Sequence, residues 1–319
     1  MVEVKYIAVP QSIEGLENIF GGWLVRLPCP TAPTGEFVAL VDVGTATAAP
    51  AFIAALKQEG VERIDLVLIS HIHVDHAGAL ADVLAAYPTA RAVCHSRGLA
   101  HLANPERLWE STQAVMSVLA DMYGRPKPVP PERLVGLSPA EFSTLPPEIL
   151  PFGFPEIGVM AVPGHSPHSM FYSLGGYYFI GEAANCTFEF QNQVFFRPAT
   201  PARFELPVFV GSINKLLTLP ERPAFAGHSP RPYPSHRLLT RSREQLYRWL
   251  DLLAPVALPE PGENREVHLE RLLELIIRED PDIGPLGVWA APKWDRFFHK
   301  HSIFGFVDYL RRAQEVTRI

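Results

Sequence analysis

Cysteine is scarce in this chain. Cys29, Cys94 and Cys186 are the only three in 319 residues, and none belongs to a Cys-x-x-Cys pair. An odd, dispersed set argues against a disulfide framework and reads as reduced thiols in a cytoplasmic protein. Long apolar runs are also missing, since no stretch approaches the roughly 18 apolar residues of a membrane span. The opening segment MVEVKYIAVP has no basic region followed by an apolar one, so no secretory leader is expected. There is no block of Lys or Arg either: 28 basic residues stand against 34 acidic ones, for a formal charge of −6. That balance lacks the electrostatic footprint of a nucleic-acid binder. The expectation is a cytoplasmic protein with a small-molecule substrate, without nucleic acid or membrane as partner, and with a homo-oligomer left open.

What the chain does have is material for a core: 47% hydrophobic residues and a mean hydropathy of +0.07. Its length suits one large domain with an appendage. The 32 prolines gather in short loops such as Lys127-Pro-Val-Pro-Pro131 and form no single disordered tract. Apolar, β-branched runs predict strands at 37–43, 64–69, 91–94, 158–162, 177–180 and 223–226. Helices are expected at 50–60, with proline near the start and glycine past the end, then at 77–86, 104–123 and 202–219. From about 235 the pattern changes to apolar residues at three- and four-residue spacing, over 238–253, 267–278 and 294–312. Residues 1–235 are therefore read as a catalytic domain and 236–319 as a helical region packed on it. The aromatics Trp294, Phe297, Phe298, Phe304, Phe306 and Tyr309 are too many to leave in water.

Several strands end in a small residue followed at once by a histidine or an acid. Rigid strand ends that feed exposed loops suit a sheet-based active site. The densest case is His71-Ile-His73-Val-Asp75-His76, three imidazoles and a carboxylate within six positions. In an extended chain alternate residues share a face, so His71 and His73 can point the same way while Asp75 and His76 turn toward a second point. Imidazole nitrogen and carboxylate oxygen suit zinc, iron or manganese. His95, His101, His236, His268, His299 and His301 lack ligand spacing and are read as surface or helix-packing residues. Cys186 is read as core, with no basic partner evident in the sequence.

The six-residue cluster followed by Ala77-Gly78 resembles the signature of the metallo-β-lactamase superfamily. Other segments follow in the order that family requires. Leu40-Val-Asp42-Val-Gly44 resembles its strand-end Asp, Pro163-Gly-His165-Ser-Pro-His168-Ser169 its Pro-Gly-His segment, and Ala226-Gly-His228 its late histidine. The resemblance spans roughly 13–236. Residues 102–111 around Trp109 and Arg197-Pro-Ala-Thr-Pro201 resemble a subgroup of hydrolase-like members. One position departs: where the family has Gly-Asp, this chain has Gly181-Glu182, the same carboxylate on an arm one methylene longer.

The resemblance implies a four-layer αββα sandwich of the α/β (α+β) class with a C-terminal helical extension. It implies two divalent metal ions, zinc foremost with iron or manganese as alternatives. The first would be held by His71, His73 and His165, the second by Asp75, His76 and His228, with Glu182 between them. Three protein ligands leave a coordination position open for water, and paired ions share a hydroxide while polarising a substrate oxygen. Asp75 would orient that hydroxide and pass a proton to the leaving group, and Asp42 would hold a ligating imidazole or a loop amide. His168 stands where the family has a small residue and is placed at the pocket edge. The implied activity is metal-dependent hydrolysis, by a metal-bound hydroxide, of a small ester, thioester, lactone, amide or phosphoester. A mononuclear iron oxidoreductase resembling persulfide dioxygenases and a non-catalytic metal-binding protein remain as alternatives.

Overall fold

The computed structural model describes residues 1–8, 20–153, 156–191, 193–259, 262–287 and 292–317. The first residues of the resembling span, 13–19, lie outside the described residues. The chain forms two compact units: residues 1–162 with 168–181, and residues 163–167 with 182–319.

Among the described residues the first unit contains ten strands: β1 (Glu3–Ala8), β2 (Gly21–Pro28), β3 (Glu36–Val41), β4 (Leu66–Leu68), β5 (Arg91–His95), β6 (Leu134–Leu137), β7 (Ser143–Thr144), β8 (Gly158–Ala161), β9 (Met170–Leu174) and β10 (Tyr177–Gly181). Its helices are α1 (Ala49–Gln58), α2 (Val74–Ala77), α3 (Leu80–Ala86), α4 (Leu99–Ala103), α5 (Glu106–Met116) and α6 (Val118–Tyr123). β1 to β6 form one sheet in sequential order, antiparallel from β1 to β3 and parallel from β3 to β6. A second sheet carries β10, β9, β8 and β7 as antiparallel neighbours. The segment 134–144 thus contributes an edge strand to each sheet, β6 to the first and β7 to the second.

The strand sequences explain the layering. β3 is apolar at every position after Glu36 because both its faces are covered. Val38 and Leu40 share a core with Leu24, Val67, Phe52 and Leu56 of α1, and Leu80 and Val83 of α3. Each fully buried side chain of this kind contributes about 1.5–3 kcal/mol relative to an exposed one. On the opposite face the two sheets meet: Trp23 of β2 lies edge-on to Phe179 of β10, with centroids 6.1 Å apart. The Tyr172 hydroxyl of β9 lies 2.9 Å from the Ile69 carbonyl and 3.1 Å from that of Val93. Burial holds that phenol neutral, far above its ordinary range.

Two sequence expectations change in detail. The helix expected over 104–123 is broken at Ser117, which has φ 50°, into α5 and α6. The one expected over 77–86 is divided into α2 and α3, with Gly78 and Ala79 between them.

The second unit contains the hairpin β11 (Cys186–Phe190) and β12 (Gln193–Arg197), then α7 (Leu206–Leu217), the pair β13 (Pro223–Ala226) and β14 (Tyr233–Pro234), α8 (Ser235–Leu253), α9 (Arg265–Glu279) and α10 (Pro292–Thr317). α8 buries Leu238, Leu239, Ser242, Gln245, Leu246, Trp249 and Leu253 along one stripe at helical spacing. The polar members of that stripe are satisfied: Asp280 accepts from Trp249 Nε1 at 2.7 Å and Gln245 Nε2 at 2.8 Å. The Phe306 ring of α10 lies 5.6 Å from that of Trp249 and 5.0 Å from that of Phe204, centroid to centroid.

His299 of α10 is buried, and its Nδ1 donates to the Asp295 carbonyl. Burial, with Arg197 adding repulsion, pushes its pKa from 6.5 down to about 3. Between those values the unfolded chain binds the proton and the folded chain does not. Stability therefore falls as pH is lowered through that window, by up to roughly tenfold in the folding equilibrium per pH unit. Urea unfolding from pH 7 to pH 4 is expected to show a shallower pH slope for His299→Gln than for the wild-type chain.

Candidate metal centre

The parallel strands deliver the first set of residues from their carboxyl ends, where open α/β sheets bind their ligands. β3 runs directly into Asp42, and β4 runs through Ile69 into Ser70-His71. Asp42 itself has φ 58°, a left-handed backbone that Asp tolerates better than most residues. The loop after it is stitched to α2: Val43 N donates to the His76 carbonyl at 2.8 Å, and Ala79 N to that of Gly44 at 3.1 Å. Gly78 permits this closeness, because a Cβ there would lie 2.2 Å from the Val74 carbonyl oxygen and 2.7 Å from Ala46 N.

Asp42 is fully buried and acts as an organiser. Its Oδ1 accepts Ser70 N–H at 2.8 Å, and its Oδ2 accepts the Ser70 hydroxyl at 2.7 Å and His76 Nδ1–H at 2.8 Å. With its proton committed to Asp42, the Ser70 oxygen can only accept from His71 Nδ1, 3.1 Å away. One carboxylate thereby places the protons of two imidazoles on Nδ1 and leaves their Nε2 lone pairs as the donors to a cation. His76 Nε2 lies 3.7 Å from Asp75 Oδ2. The His71 ring centroid is 4.1 Å from that of His76 and 4.6 Å from that of His73. His168 lies at the rim of these rings, with centroids 6.4 Å from His71 and 5.6 Å from His73, and its Nδ1 accepts Ile72 N–H at 3.4 Å.

The other three residues sit on their own rigid supports. His165 Nδ1 donates to the Ala199 carbonyl at 2.9 Å, so a neutral His165 carries a bare Nε2. Glu182 follows β10 directly. Its turn is fixed by Ser242 of α8, which donates to the Ala184 carbonyl at 2.6 Å, and by Asn185, at φ 61°, which donates to the Ser242 carbonyl at 3.3 Å. His228 follows β13 and also adopts a left-handed backbone, φ 63°, a strained state of the kind held at functional sites. Glu182 reaches both imidazoles: Oε2 lies 2.9 Å from His165 Nε2, and Oε1 lies 3.1 Å from His228 Nε2.

Among the described residues, two groups each offer one ligand atom per residue, the atoms of a group all within 4.8 Å of one another: His71, His73 and His165, and Asp75, His76, Glu182 and His228. The seven residues singled out from the sequence fall into these groups. His95, His101, His236, His268, His299 and His301 fall into neither, and His268 and His299 are instead buried in helix packing. The donor set fits hard to borderline divalent cations, being nitrogen and oxygen without sulfur. At 2.9 Å the His165 Nε2 and the Glu182 oxygen need a positive charge with them, a proton on Nε2 or a bound cation, and a cation held by both satisfies the same pair.

The sequence does not reveal the supporting roles of Ser70, Ala199 and Arg197. Ser70 touches the motif and could have been noticed, whereas Ala199 acts through its backbone and gives no side-chain signal. The reading of Cys186 needs correction. It is buried, but a basic partner is present: Arg197, directly opposite it in the β11–β12 register, places Nη2 2.9 Å from Sγ. That partner comes from hairpin pairing, which spacing alone does not reveal.

Asp42→Asn tests the proton placement. Asn tolerates the left-handed backbone, but its amide has one acceptor oxygen where Asp42 uses two. An NH2 at the Oδ2 position would donate to His76 Nδ1 and move that ring's proton to Nε2. Metal affinity measured by chelator competition is expected to fall roughly 10- to 100-fold with the fold intact.

Residues 23–228, more than half of the chain, match the family model of the metallo-beta-lactamase superfamily, and the chain belongs to that superfamily. Among curated proteins it is similar to the metallo-beta-lactamase fold-containing protein ST1585 of Sulfurisphaera tokodaii, at 22% identity over 200 residues covering 60% of this chain and 72% of that one. The crystal structure of ST1585, described as an archaeal metallo-beta-lactamase superfamily protein from Sulfolobus tokodaii, superposes with a TM-score of 0.62 at 16% identity, covering 97% of this chain and 98% of the other. The metallo-beta-lactamase family protein TTHA1429 of Thermus thermophilus gives 0.62 at 20% identity, covering 98% and 94%. At these identities the structures establish the fold, the αββα class expected from the sequence with its C-terminal helices. Family membership together with the two ligand groups supports a metal-dependent, hydrolase-like function. Among the described residues, no helix is long and apolar enough to cross a membrane.

Proposed function

We propose that this protein is a binuclear metal-dependent hydrolase acting on a small ester, thioester, lactone, amide or phosphoester. One observation carries the reading: the Glu182 carboxylate meets His165, a member of the first ligand group, with one oxygen and His228, a member of the second, with the other. A carboxylate so placed suits a bridge between two cations. His71, His73 and His165 would hold the first cation, and Asp75, His76 and His228 the second, with zinc proposed and iron or manganese compatible with the same donors. When bound, such cations supply Lewis acidity that polarises a carbonyl or phosphoryl oxygen and eases ionisation of water.

The side chains divide the remaining work. Asp42 and Ser70 hold the Nδ1 side of the His71 and His76 rings, so that Nε2 is the atom each offers to a cation, and the Ala199 carbonyl does the same for His165. Asp75, one-fifth exposed, is the ligand-group carboxylate with access to solvent, and it is assigned to orient the attacking water and hand a proton to the leaving group. His168 borders the His71 and His73 rings and would line the substrate approach. A small-molecule substrate and a cytoplasmic setting belong to the same proposal.

The test is a hydrolysis assay on protein purified without chelators, across those five substrate classes, paired with elemental analysis. Turnover of at least one class, lost after chelator dialysis and restored by zinc, is the expected result. A single iron per chain with oxygen uptake on glutathione persulfide, and no hydrolysis, would instead make the protein an oxidoreductase.

A further inference from the structure

Glu182 faces a design problem that its usual counterpart, an aspartate, does not. Its extra methylene adds a rotatable bond, so the carboxylate needs an additional constraint to hold each oxygen against a different imidazole. The turn from Glu182 to Cys186 supplies it. Cys186 begins β11, and its thiol donates to Glu182 Oε1 at 3.3 Å, the same oxygen that lies 3.1 Å from His228 Nε2. The sulfur in turn accepts from Arg197 Nη2 at 2.9 Å. Arg197 is itself locked: Nη1 donates to Ser302 of α10 at 3.1 Å, and its guanidinium lies over the Phe298 ring, 5.3 Å from the centroid. All three side chains are more than nine-tenths buried. The result is a chain of hydrogen bonds running Arg197 to Cys186 to Glu182, with the polarisable sulfur between the guanidinium and the carboxylate.

We propose that Cys186, held by Arg197, is a positioning residue that fixes the Glu182 carboxylate for the cation on the Asp75, His76 and His228 side. Arg197 orients the sulfur so that the S–H points at Oε1, and that hydrogen bond selects the Glu182 rotamer. Direct contact between Arg197 and Glu182 would compete with a cation for the carboxylate, whereas a thiol relays orientation without neutralising it. This inference rests on the binuclear reading above.

The test uses the full-length chain and titrates zinc stepwise against a chromophoric chelator, with cobalt(II) substitution as a spectroscopic check. Cys186→Ala removes the donor, Cys186→Val removes it while keeping bulk, and Cys186→Ser restores an O–H donor. Arg197 is left unchanged because it also anchors α10. Alanine and valine are expected to weaken binding of the second ion about tenfold or more while leaving the first ion's affinity and the melting temperature unchanged, with serine close to wild type. In the cobalt forms the spectral contribution of the second ion should diminish in the same two variants. If wild type takes up two ions and Cys186→Ala and Cys186→Val bind both as tightly as wild type, the positioning role is refuted and the binuclear reading stands. Equal weakening of both ions with a lowered melting temperature would also refute it, since that is the signature of a packing defect. A wild-type chain that takes up fewer than two ions removes both the inference and the reading beneath it.

Discussion

Replacing His71 or His165 by alanine is expected to abolish tight binding at the first metal position and nearly all hydrolytic activity. Each residue is one of only three imidazoles in that ligand group, and the group contains no carboxylate to take over. Each is also held for ligation, His71 through Ser70 and His165 through the Ala199 carbonyl. Loss of a ligand should exceed the roughly 10- to 100-fold cost of losing a residue that only orients one. His101→Ala, a change on α4 outside both ligand groups, serves as the comparison and should behave as wild type. Elemental analysis and initial rates measured on the same preparations decide the matter. Full metal content and turnover in either variant would remove that residue from the ligand set.

The two parts of this architecture were unequally legible in the sequence. His71, His73, Asp75 and His76 fall within six positions, so strand geometry alone brings them together, and they could be read without any fold. His165, Glu182 and His228 each stand alone after a strand, and only the order of the family's segments singled them out. The supports were harder still. Asp42 announced itself by ending a buried strand beside Gly44, but its grip on both Ser70 and His76 depends on a left-handed backbone that no pattern encodes. The segment Arg197-Pro-Ala-Thr-Pro201 stands out in the sequence only as a subgroup resemblance. Its jobs emerge only in three dimensions: Arg197 orients Cys186, Ala199 sets the His165 proton, and Thr200 donates to the Ser302 carbonyl at 2.9 Å. Helix boundaries drifted for a related reason. The apolar period over 104–123 continues through Ser117, so periodicity could not reveal the break there.

Glu182 is the residue on which the binuclear reading turns, and its variants carry the second large effect. Glu182→Asp keeps the negative charge and the reach usual in the family, and it should retain two ions per chain. Glu182→Gln keeps shape but offsets less of the charge of two adjacent cations, and it should lose one ion selectively. Activity is expected to follow the loading, low in the glutamine variant and substantial in the aspartate one. The decisive measurement is metal stoichiometry per chain for wild type and both variants, by elemental analysis after equilibration at matched, abundant free metal. Two ions in wild type and Glu182→Asp, against one in Glu182→Gln, is the predicted result. A wild-type chain that binds a single ion even when metal is abundant would contradict the binuclear mechanism outright.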